Sequence, residues 1–220
     1  MSEKIRCGVI GYGGAFNMGR AHATYITQTD GLELTAICDL DPKRTEIAAQ
    51  DFEGVSTYNT IDEMLKSPDV DLAVIVLPHN IHAKIAIQCA NAGKHVVVEK
   101  PMCISVEEAT QMIEAARQNN VMLSVFHNRR QDGDYKTLRE IIVEKKLLGD
   151  IFKIEVFSGG FHAQNPNWWR SSKEISGGYF YEWGAHGIDG RRVRVPGQKI
   201  EGVTGFYHKR VWHDVTNEDH

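Results

Sequence analysis

The sequence predicts an α/β protein in which a doubly wound parallel sheet is followed by a partial α/β domain with a mostly antiparallel open sheet. Three observations lead to this prediction. From Lys4 to Val125, short apolar segments alternate with helix-length amphipathic segments, and a glycine-rich loop follows the first of them. After His127, apolar and polar residues alternate within longer segments. Continuous apolar strands are typical of a parallel sheet covered on both faces, whereas alternation is typical of a half-exposed sheet.

Six segments of the first domain are predicted as strands: 5–10, 32–39, 55–58, 71–78, the valine segment within 94–101, and 121–126. Helices are predicted between them at 18–28, 42–52, from Thr60 onward, 82–93 and 105–119. Thr60 and Ser105 each stand three residues before a glutamate, which is the spacing of a capping box. Pro42 lies in a first turn, where its missing N–H has no cost, and Gly93 is a typical helix stop.

The second part of the chain is predicted to begin near residue 126, which gives domains at 1–126 and 127–220. Helices are predicted at 132–149 and 177–195, the latter despite its glycines, and alternating strands at 151–161 and 199–212. A sheet of two strands is marginally stable by itself. We therefore expect the second domain to be incomplete and the chain to be a fragment or a shortened protein.

Composition excludes several classes of protein. Of the 220 residues, 42% are hydrophobic and 25% are charged, as in an ordinary globular protein. The net charge of −4 gives no general attraction to nucleic acids or acidic membranes. The longest apolar run, 72–78, is far shorter than the roughly 20 residues that span a bilayer. We expect a soluble, cytoplasmic protein with no nucleic-acid or membrane partner.

The cysteines support the same compartment. Cys7, Cys38, Cys89 and Cys103 form no C-x-x-C pair, and the first three lie in apolar segments where buried free thiols are common. They are predicted to be inert thiols rather than disulfides or metal ligands, which favours a reducing environment. No metal site is predicted.

The glycine loop indicates a dinucleotide site. Gly11 and Gly13, with Gly14 beside them, follow the first strand as in the G-x-G-x-x-G fingerprint, but the third position is Phe16 and Gly19 comes three residues late. Gly11 would allow the tight turn, Gly13 would let the backbone approach a pyrophosphate, and the next helix would present its N-terminus to the anion. A plain glycine-rich turn is the alternative. With the strand–helix alternation around it, the loop favours a Rossmann domain.

Asp39, at the end of the second strand, is predicted to select the cofactor. A carboxylate there would bind both ribose hydroxyls of the adenosine and repel a 2′-phosphate, which favours NAD. Arg44 follows closely and could reach a phosphate, so NADP is possible. The alternative for Asp39 is a simple turn residue before Pro42.

Four motifs in order resemble those of the Gfo/Idh/MocA oxidoreductase family. They are the glycine loop with His22, the segment PHNIH at 78–82, the segment AGKHVVVEKP at 92–101, and EWGAHGID at 182–189. The resemblance implies a nicotinamide cofactor in the first domain. It also implies an open-sheet second domain that carries substrate contacts and often oligomer contacts, so a homo-oligomer is expected if that domain is complete.

The resemblance also assigns a catalytic role to Lys100. This residue lies just past the end of a strand, where doubly wound sheets bind ligands. The resemblance implies that the ammonium lies beside the nicotinamide and hydrogen-bonds the substrate hydroxyl or carbonyl oxygen. Glu99 is expected to orient Lys100 or to meet the ribose. Pro101 ends the strand, and family members often have this peptide bond in cis. The alternative is a solvated charge pair that caps a strand.

The later helix carries a second candidate group. Glu182, His186 and Asp189 share one helical face by spacing. His186 is predicted as the general acid/base, because imidazole titrates near neutral pH. Glu182, where the family often has aspartate, is predicted to position the substrate or to assist the proton relay, and Asp189 to fix the imidazole tautomer. An exposed acidic helix face is the alternative, and a metal site is disfavoured because no H-x-x-x-H partner is present.

Further contacts are predicted at the ends of other elements. Pro78, Asn80 and His82 are candidates for the cofactor, although His82 could simply begin a helix. The substrate candidates are Asn128, Arg129, Trp168, Trp169 and Arg170, besides Asp189. Indoles stack on sugar rings, but a Trp pair is as often core packing.

Together these features predict an NAD(P)-dependent oxidoreductase. Hydride would pass between nicotinamide and a secondary alcohol or ketone of a sugar, cyclitol or related polyol. Two alternatives remain open: an NAD-dependent glycosidase that acts through transient oxidation, and a non-catalytic nucleotide-binding regulatory protein. The presence of Lys100 and His186 argues against the regulatory protein, whereas the apparent shortening argues for it.

Overall fold

The structure is a computed structural model that describes residues 4–14, 16–160, 165–194 and 199–218, with the backbone alone for 191–194. The chain divides into two compact units, Met1–Phe126 and His127–His220.

The first unit contains a six-stranded parallel sheet, so the predicted doubly wound architecture is confirmed. Its strands are β1 (Ile5–Ile10), β2 (Leu32–Cys38), β3 (Ser56–Tyr58), β4 (Leu72–Ile75), β5 (His95–Glu99) and β6 (Leu123–Phe126). The spatial order is β3-β2-β1-β4-β5-β6, with every neighbouring pair parallel. The chain reverses its direction across the sheet between β1 and β4. Ligands of such sheets bind at this switch point, outside the carboxyl ends of the strands.

Five helices connect these strands: α1 (Met18–Thr27), α2 (Pro42–Asp51), α3 (Ile61–Lys66), α4 (His82–Asn91) and α5 (Val106–Gln118). The Thr60 and Ser105 side chains accept hydrogen bonds from the backbone N–H groups of Glu63 and Glu108, as the capping-box spacing predicts. Pro42 is the first residue of α2. Gly93 follows α4 with φ +73°, a left-handed conformation that favours glycine.

The core of this unit lies on both faces of the sheet. Val9 and Val74 pack with α1 and α2 on one face, whereas Ile10 and Ile75 pack with α3, α4 and α5 on the other. This division follows from the alternation of side chains along a strand. All four cysteines are buried and free. Burial raises the pKa of Cys7 to about 11 and that of Cys38 to about 12, so both stay protonated thiols.

The regular secondary structure in the described part of the second unit is helical, and irregular segments separate the helices. Its helices are α6 (Gly133–Arg139), α7 (Lys173–Ser176) and α8 (Tyr179–Arg194), and a π-helical turn, Glu140–Glu144, continues α6. The prediction of a helix at 177–195 is confirmed by α8, although residue 195 lies outside the described residues. The helix predicted at 132–149 is shorter than expected. Among the residues that the structure describes, no helix has both the length and the apolar character needed to cross a bilayer.

The predicted antiparallel sheet is not confirmed. Residues 151–160 and 199–212 have no strand assignment, and residue 161 of the first predicted strand lies outside the described residues. Phe152 and Phe157 are 97% and 93% exposed. A strand is stabilised by hydrogen-bonded neighbours and by burial of one face. Neither of these segments is assigned to a ladder within the described part of the chain, so alternation alone does not produce a sheet.

Candidate active site

The glycine loop turns tightly at the end of β1. Gly11 has φ +93°, and a Cβ atom there would overlap the backbone oxygen of Val76, so only glycine fits. A Cβ atom at Gly19 would overlap the backbone of Gly11 and Tyr12. Gly19 therefore provides the close contact between helix and strand that the third glycine of the fingerprint normally provides. The longer loop moves this glycine along the sequence but keeps its packing role.

Asp39 reaches the same loop from the end of β2. Its Oδ2 accepts a 2.7 Å hydrogen bond from the Gly13 N–H, and its Oδ1 accepts a 3.0 Å bond from the Asp41 N–H. The guanidinium of Arg44 lies directly against Gly14, where a Cβ atom would overlap it. The residues predicted to bind the adenosine and phosphate groups are thus brought together at the carboxyl edge of the sheet.

The N-terminus of α1 has no side-chain cap. Asn17 precedes the helix with φ 50° and makes no side-chain cap hydrogen bond. By comparison, α2, α3 and α5 are each capped by a side chain, from Asp41, Thr60 and Ser105, whereas α4, like α1, has no such bond from its cap residue. The first N–H groups of a helix need partners from outside the helix. Asn17 does not bond the first N–H groups of α1 through its side chain. These N–H groups lie at the carboxyl edge of the sheet, next to the glycine loop.

The Glu99-Lys100-Pro101 turn lies at this carboxyl edge, immediately after β5. The Lys100–Pro101 peptide bond is cis, as the resemblance implied. Glu99 accepts a 3.0 Å hydrogen bond from the Lys100 N–H through Oε2 and a 2.8 Å bond from His22 Nε2 through Oε1. Burial raises the pKa of Glu99, but the hydrogen bond and charge of His22, with those of Lys100, outweigh it and hold this pKa below its usual value. Glu99 is therefore a carboxylate.

The predicted cofactor residues after β4 have different environments. Pro78 is half-buried and directly precedes a short 3₁₀ turn, His79–Ile81, in which Asn80 is exposed. His82 is 0% exposed, with Nδ1 2.8 Å from the Pro101 oxygen and Nε2 2.8 Å from the Leu77 oxygen. Both ring nitrogens face backbone carbonyls, so His82 supports the Lys100 turn. It is also the first residue of α4, which was the alternative for this residue.

In the second unit, Glu182 on α8 forms an ion pair with Arg170, and their side chains are 15% and 16% exposed. The Arg170 guanidinium carbon also lies 5.4 Å and 4.8 Å from the ring centroids of Trp168 and Trp169. Three predicted substrate residues and the predicted relay carboxylate therefore form one cluster. The indole faces favour the cation between them.

Asp189 has a cation as its partner. Its carboxylate accepts two hydrogen bonds from Arg130, of 2.7 Å and 2.5 Å, and lies 3.9 Å from His127 Nδ1. Burial raises the pKa of Asp189, but Arg130 and the charges of His127 and His186 lower it below its usual value. Arg130 is therefore the ion-pair partner of Asp189.

The turn that follows β6 contributes further side chains to the second unit. Asn128 and Arg129 belong to a 3₁₀ turn, and the Arg129 guanidinium lies 5.6 Å from the ring centroid of Trp183. Sequence reasoning singled out Asn128 and Arg129 but missed His127 before them and Arg130 after them. Their position directly after a strand of the parallel sheet was the signal that could have identified them.

Comparison with known proteins agrees with these observations. The sequence model of the Gfo/Idh/MocA family, described as an oxidoreductase family with an NAD-binding Rossmann fold, matches residues 5–127. A model of the Gfo/Idh/MocA C-terminal domain matches residues 135–220. The chain belongs to the Gfo/Idh/MocA oxidoreductase family.

Two curated bacterial proteins have similar sequences. The chain is 35% identical over 189 residues to YdgJ of Escherichia coli K12, an uncharacterised oxidoreductase, covering 86% of the chain and 53% of YdgJ. It is 31% identical over 187 residues to IolW of Bacillus subtilis 168, a scyllo-inositol 2-dehydrogenase (NADP⁺), covering 85% of the chain and 51% of IolW. The chain thus spans about half the length of these relatives.

A solved structure has a similar fold. GenD2 from gentamicin A biosynthesis, crystallised in complex with NAD, superimposes with a TM-score of 0.83 at 26% identity, covering 100% of the chain and 61% of GenD2.

Proposed function

We propose that this protein is an NAD(P)-dependent oxidoreductase that transfers hydride between nicotinamide and a secondary alcohol or ketone of a sugar, cyclitol or related polyol. The observation that carries the proposal is the position of Lys100. It follows β5 directly, at the same carboxyl edge of the sheet as the glycine loop and Asp39. A primary amine at this edge can donate to a substrate oxygen. The inositol dehydrogenase among the relatives supports the polyol substrate.

The residues at this edge fit a dinucleotide. A Cβ atom at Gly13 would meet nothing within 4 Å, so the loop leaves open space above its backbone. The uncapped N-terminus of α1 suits a pyrophosphate, and Asp39 suits the ribose hydroxyls. Gly11 and Gly14 complete the loop. A bound nicotinamide would supply the hydride acceptor in oxidation or the hydride donor in reduction.

Asp39 and Arg44 decide the choice between NAD and NADP. The carboxylate of Asp39 favours NAD by repelling a 2′-phosphate, whereas Arg44 beside Gly14 offers a cation for that phosphate. We propose NAD as the preferred cofactor with NADP as a weaker one. Binding of NAD by GenD2 and the NADP⁺ in the name of IolW show that relatives use both.

Proton handling is proposed for one residue in each unit. Loss of a hydride from a carbinol carbon also requires loss of the hydroxyl proton. Lys100 would hydrogen-bond the reacting oxygen, and His186 would accept or return the proton, because imidazole titrates near neutral pH. Glu182 would position the substrate while Arg170 holds its carboxylate.

The remaining substrate contacts are proposed for the second unit. Trp168 and Trp169 would stack on the sugar ring, and Asn128, Arg129 and Asp189 would meet its polar groups. The proposal includes domains at 1–126 and 127–220, an open antiparallel sheet in the second one, a cytoplasmic location, and a homo-oligomer if the second domain is complete. The family resemblance supports the open sheet and the oligomer, and the buried free cysteines support the cytoplasmic location.

A panel of polyols and sugars, assayed by nicotinamide absorbance, tests the proposal with the intact chain and Lys100→Ala. We expect turnover of at least one polyol, and a loss of turnover in Lys100→Ala with cofactor still bound. Glycoside cleavage without net NADH formation would favour the glycosidase instead. Cofactor binding without turnover of any substrate would favour the regulatory protein, and unchanged turnover in Lys100→Ala would remove Lys100 from the mechanism.

A further inference from the structure

We propose that His22 is a positioning residue that holds the Lys100 turn in place through the carboxylate of Glu99. This inference rests on the proposed function of Lys100. In our proposal His22, a residue of α1, contacts neither the substrate nor the cofactor. It acts on Lys100 only through Glu99.

The three residues form a chain of hydrogen bonds. His22 Nε2 lies 2.8 Å from Glu99 Oε1, and the second oxygen, Oε2, accepts a 3.0 Å bond from the Lys100 N–H. Since a carboxylate only accepts, the Nε2 of His22 must carry the proton and donate. The Glu99 carboxylate thus joins helix α1 to the backbone from which the Lys100 side chain extends.

The position of the imidazole is fixed by packing. His22 and Glu99 have side chains that are 5% and 13% exposed. The buried face of α1 includes Gly19 and Ala23, and the contact of Gly19 with the loop backbone sets how closely α1 approaches the sheet. The His22 ring also packs edge-on against Phe126 at the end of β6, with centroids 4.6 Å apart. The imidazole therefore has little freedom to leave Glu99.

The hydrogen bond from His22 matters because Glu99 is charged. A buried carboxylate without hydrogen-bond donors is strongly unfavourable. If His22 could not donate, Glu99 would rotate toward water and release the Lys100 N–H, or take up a proton and become a weaker acceptor for it. Because a displacement of about 1 Å at a catalytic group can cost about a hundredfold in rate, loss of His22 should reduce kcat more than it changes substrate KM.

Two substitutions at the same position test the inference. The amide nitrogen of glutamine can occupy the place of an imidazole Nε2, whereas that of asparagine reaches only as far as Nδ1. His22→Gln should therefore keep the bond to Glu99, and His22→Asn should lose it. Amide hydrogen exchange of Lys100 in the cofactor-free protein reports the bond without any turnover. We expect exchange about tenfold faster in His22→Asn, and close to wild type in His22→Gln.

Turnover and affinity give a second set of measurements. His22→Asn should lower kcat by about ten- to a hundredfold with substrate KM almost unchanged, and His22→Gln should restore most of the loss. Glu99→Ala, which leaves no buried charge, should release the Lys100 amide to the same extent. Adding His22→Asn to Glu99→Ala should cause no further release, since His22 acts through Glu99.

His95→Gln is the matched control for a general loosening of β5. His95 lies at the opposite end of that strand, where its Nδ1 accepts a 2.9 Å hydrogen bond from the Met122 N–H. This variant should leave exchange of the Lys100 amide unchanged. Equal exchange in His22→Asn and His22→Gln, or an equal effect of His95→Gln, would overturn the inference. If Lys100→Ala keeps full turnover while the Lys100 amide still depends on His22, the proposed function fails and the positioning contact stands.

Discussion

The Gly13 N–H and the Asp39 carboxylate are joined by a 2.7 Å hydrogen bond, although the two residues are 26 positions apart in the sequence. The bond ties the glycine loop after β1 to the end of β2. It therefore fixes the residue proposed to bind ribose relative to the loop proposed to bind the pyrophosphate. A site organised before the ligand arrives loses less conformational freedom on binding.

Asp39→Ala should weaken NADH binding and reduce the preference of the protein for NADH over NADPH. Loss of a hydrogen bond to a charged group costs about 1.5–3 kcal/mol, or about ten- to a hundredfold in affinity. The NADPH affinity should fall less, because repulsion of the 2′-phosphate is also removed. Fluorescence titration with both cofactors measures this. Asp41→Ala, which removes the cap of α2, should cost stability with no change in preference; the same change in both variants would contradict the assignment of Asp39.

Gly13→Ala should weaken cofactor binding by more than its loss of folding stability explains. Gly13 has φ +53°, and Gly31 has φ +84°, and a Cβ atom at either position would meet nothing within 4 Å. Alanine at either position should therefore cost about 1–2 kcal/mol of unfolding free energy from backbone strain. Only Gly13→Ala places a methyl group at the proposed pyrophosphate site. Urea unfolding and NADH titration of both variants should show matched stability and a selective loss of affinity; equal affinities would place the cofactor elsewhere.

His82 should make the first unit less stable in mild acid. Burial lowers its pKa below the usual 6.5 despite the Pro101 and Leu77 carbonyls and the nearby Glu99 and Glu108. The unfolded chain then binds the proton more readily than the folded one. The stability is therefore present above pH 6.5 and is lost as the pH falls toward the lowered value. Urea midpoints between neutral pH and pH 5 should decrease.

The matched variant His82→Asn keeps a donor near the Pro101 oxygen and has no titrating ring. It should show a flatter dependence of the urea midpoint on pH over the same range. Equal slopes for the variant and the wild type would assign the acid sensitivity to another group.

Arg170→Ala should destabilise the second unit by leaving the Glu182 carboxylate without its ion-pair partner. The cost expected for a buried group left unsatisfied is about 1–3 kcal/mol. The double variant Arg170→Ala/Glu182→Gln should recover part of that stability, since no buried charge remains. Arg170→Lys keeps the charge but loses the planar guanidinium that lies near both indoles, so its stability should be intermediate. Thermal unfolding of these variants, of the single variant Glu182→Gln and of the wild type measures this coupling, and additive effects of Arg170→Ala and Glu182→Gln would argue against the pair.

Local sequence patterns were sufficient for most of the first unit. The six strands, the caps at Thr60 and Ser105, and the placement of Lys100 after β5 depend on residues close together in the chain. Periodicity and turn chemistry are local properties, so a single sequence contains them. The second unit shows the limit of this reasoning. Alternation at 151–161 and 199–212 predicted strands, but a sheet also requires partner strands, which no local pattern specifies.

By itself, the sequence determined the order of elements in the first unit and the residue types offered at its carboxyl edge, because both follow from short-range spacing. Only the tertiary structure decided which of those side chains meet. His22 and Glu99 are 77 residues apart, and Arg130 and Asp189 are 59 apart. The contact between the His82 ring and the Pro101 oxygen likewise joins residues 19 positions apart. Such contacts form only when helices pack on a sheet, since packing brings distant residues within hydrogen-bond distance.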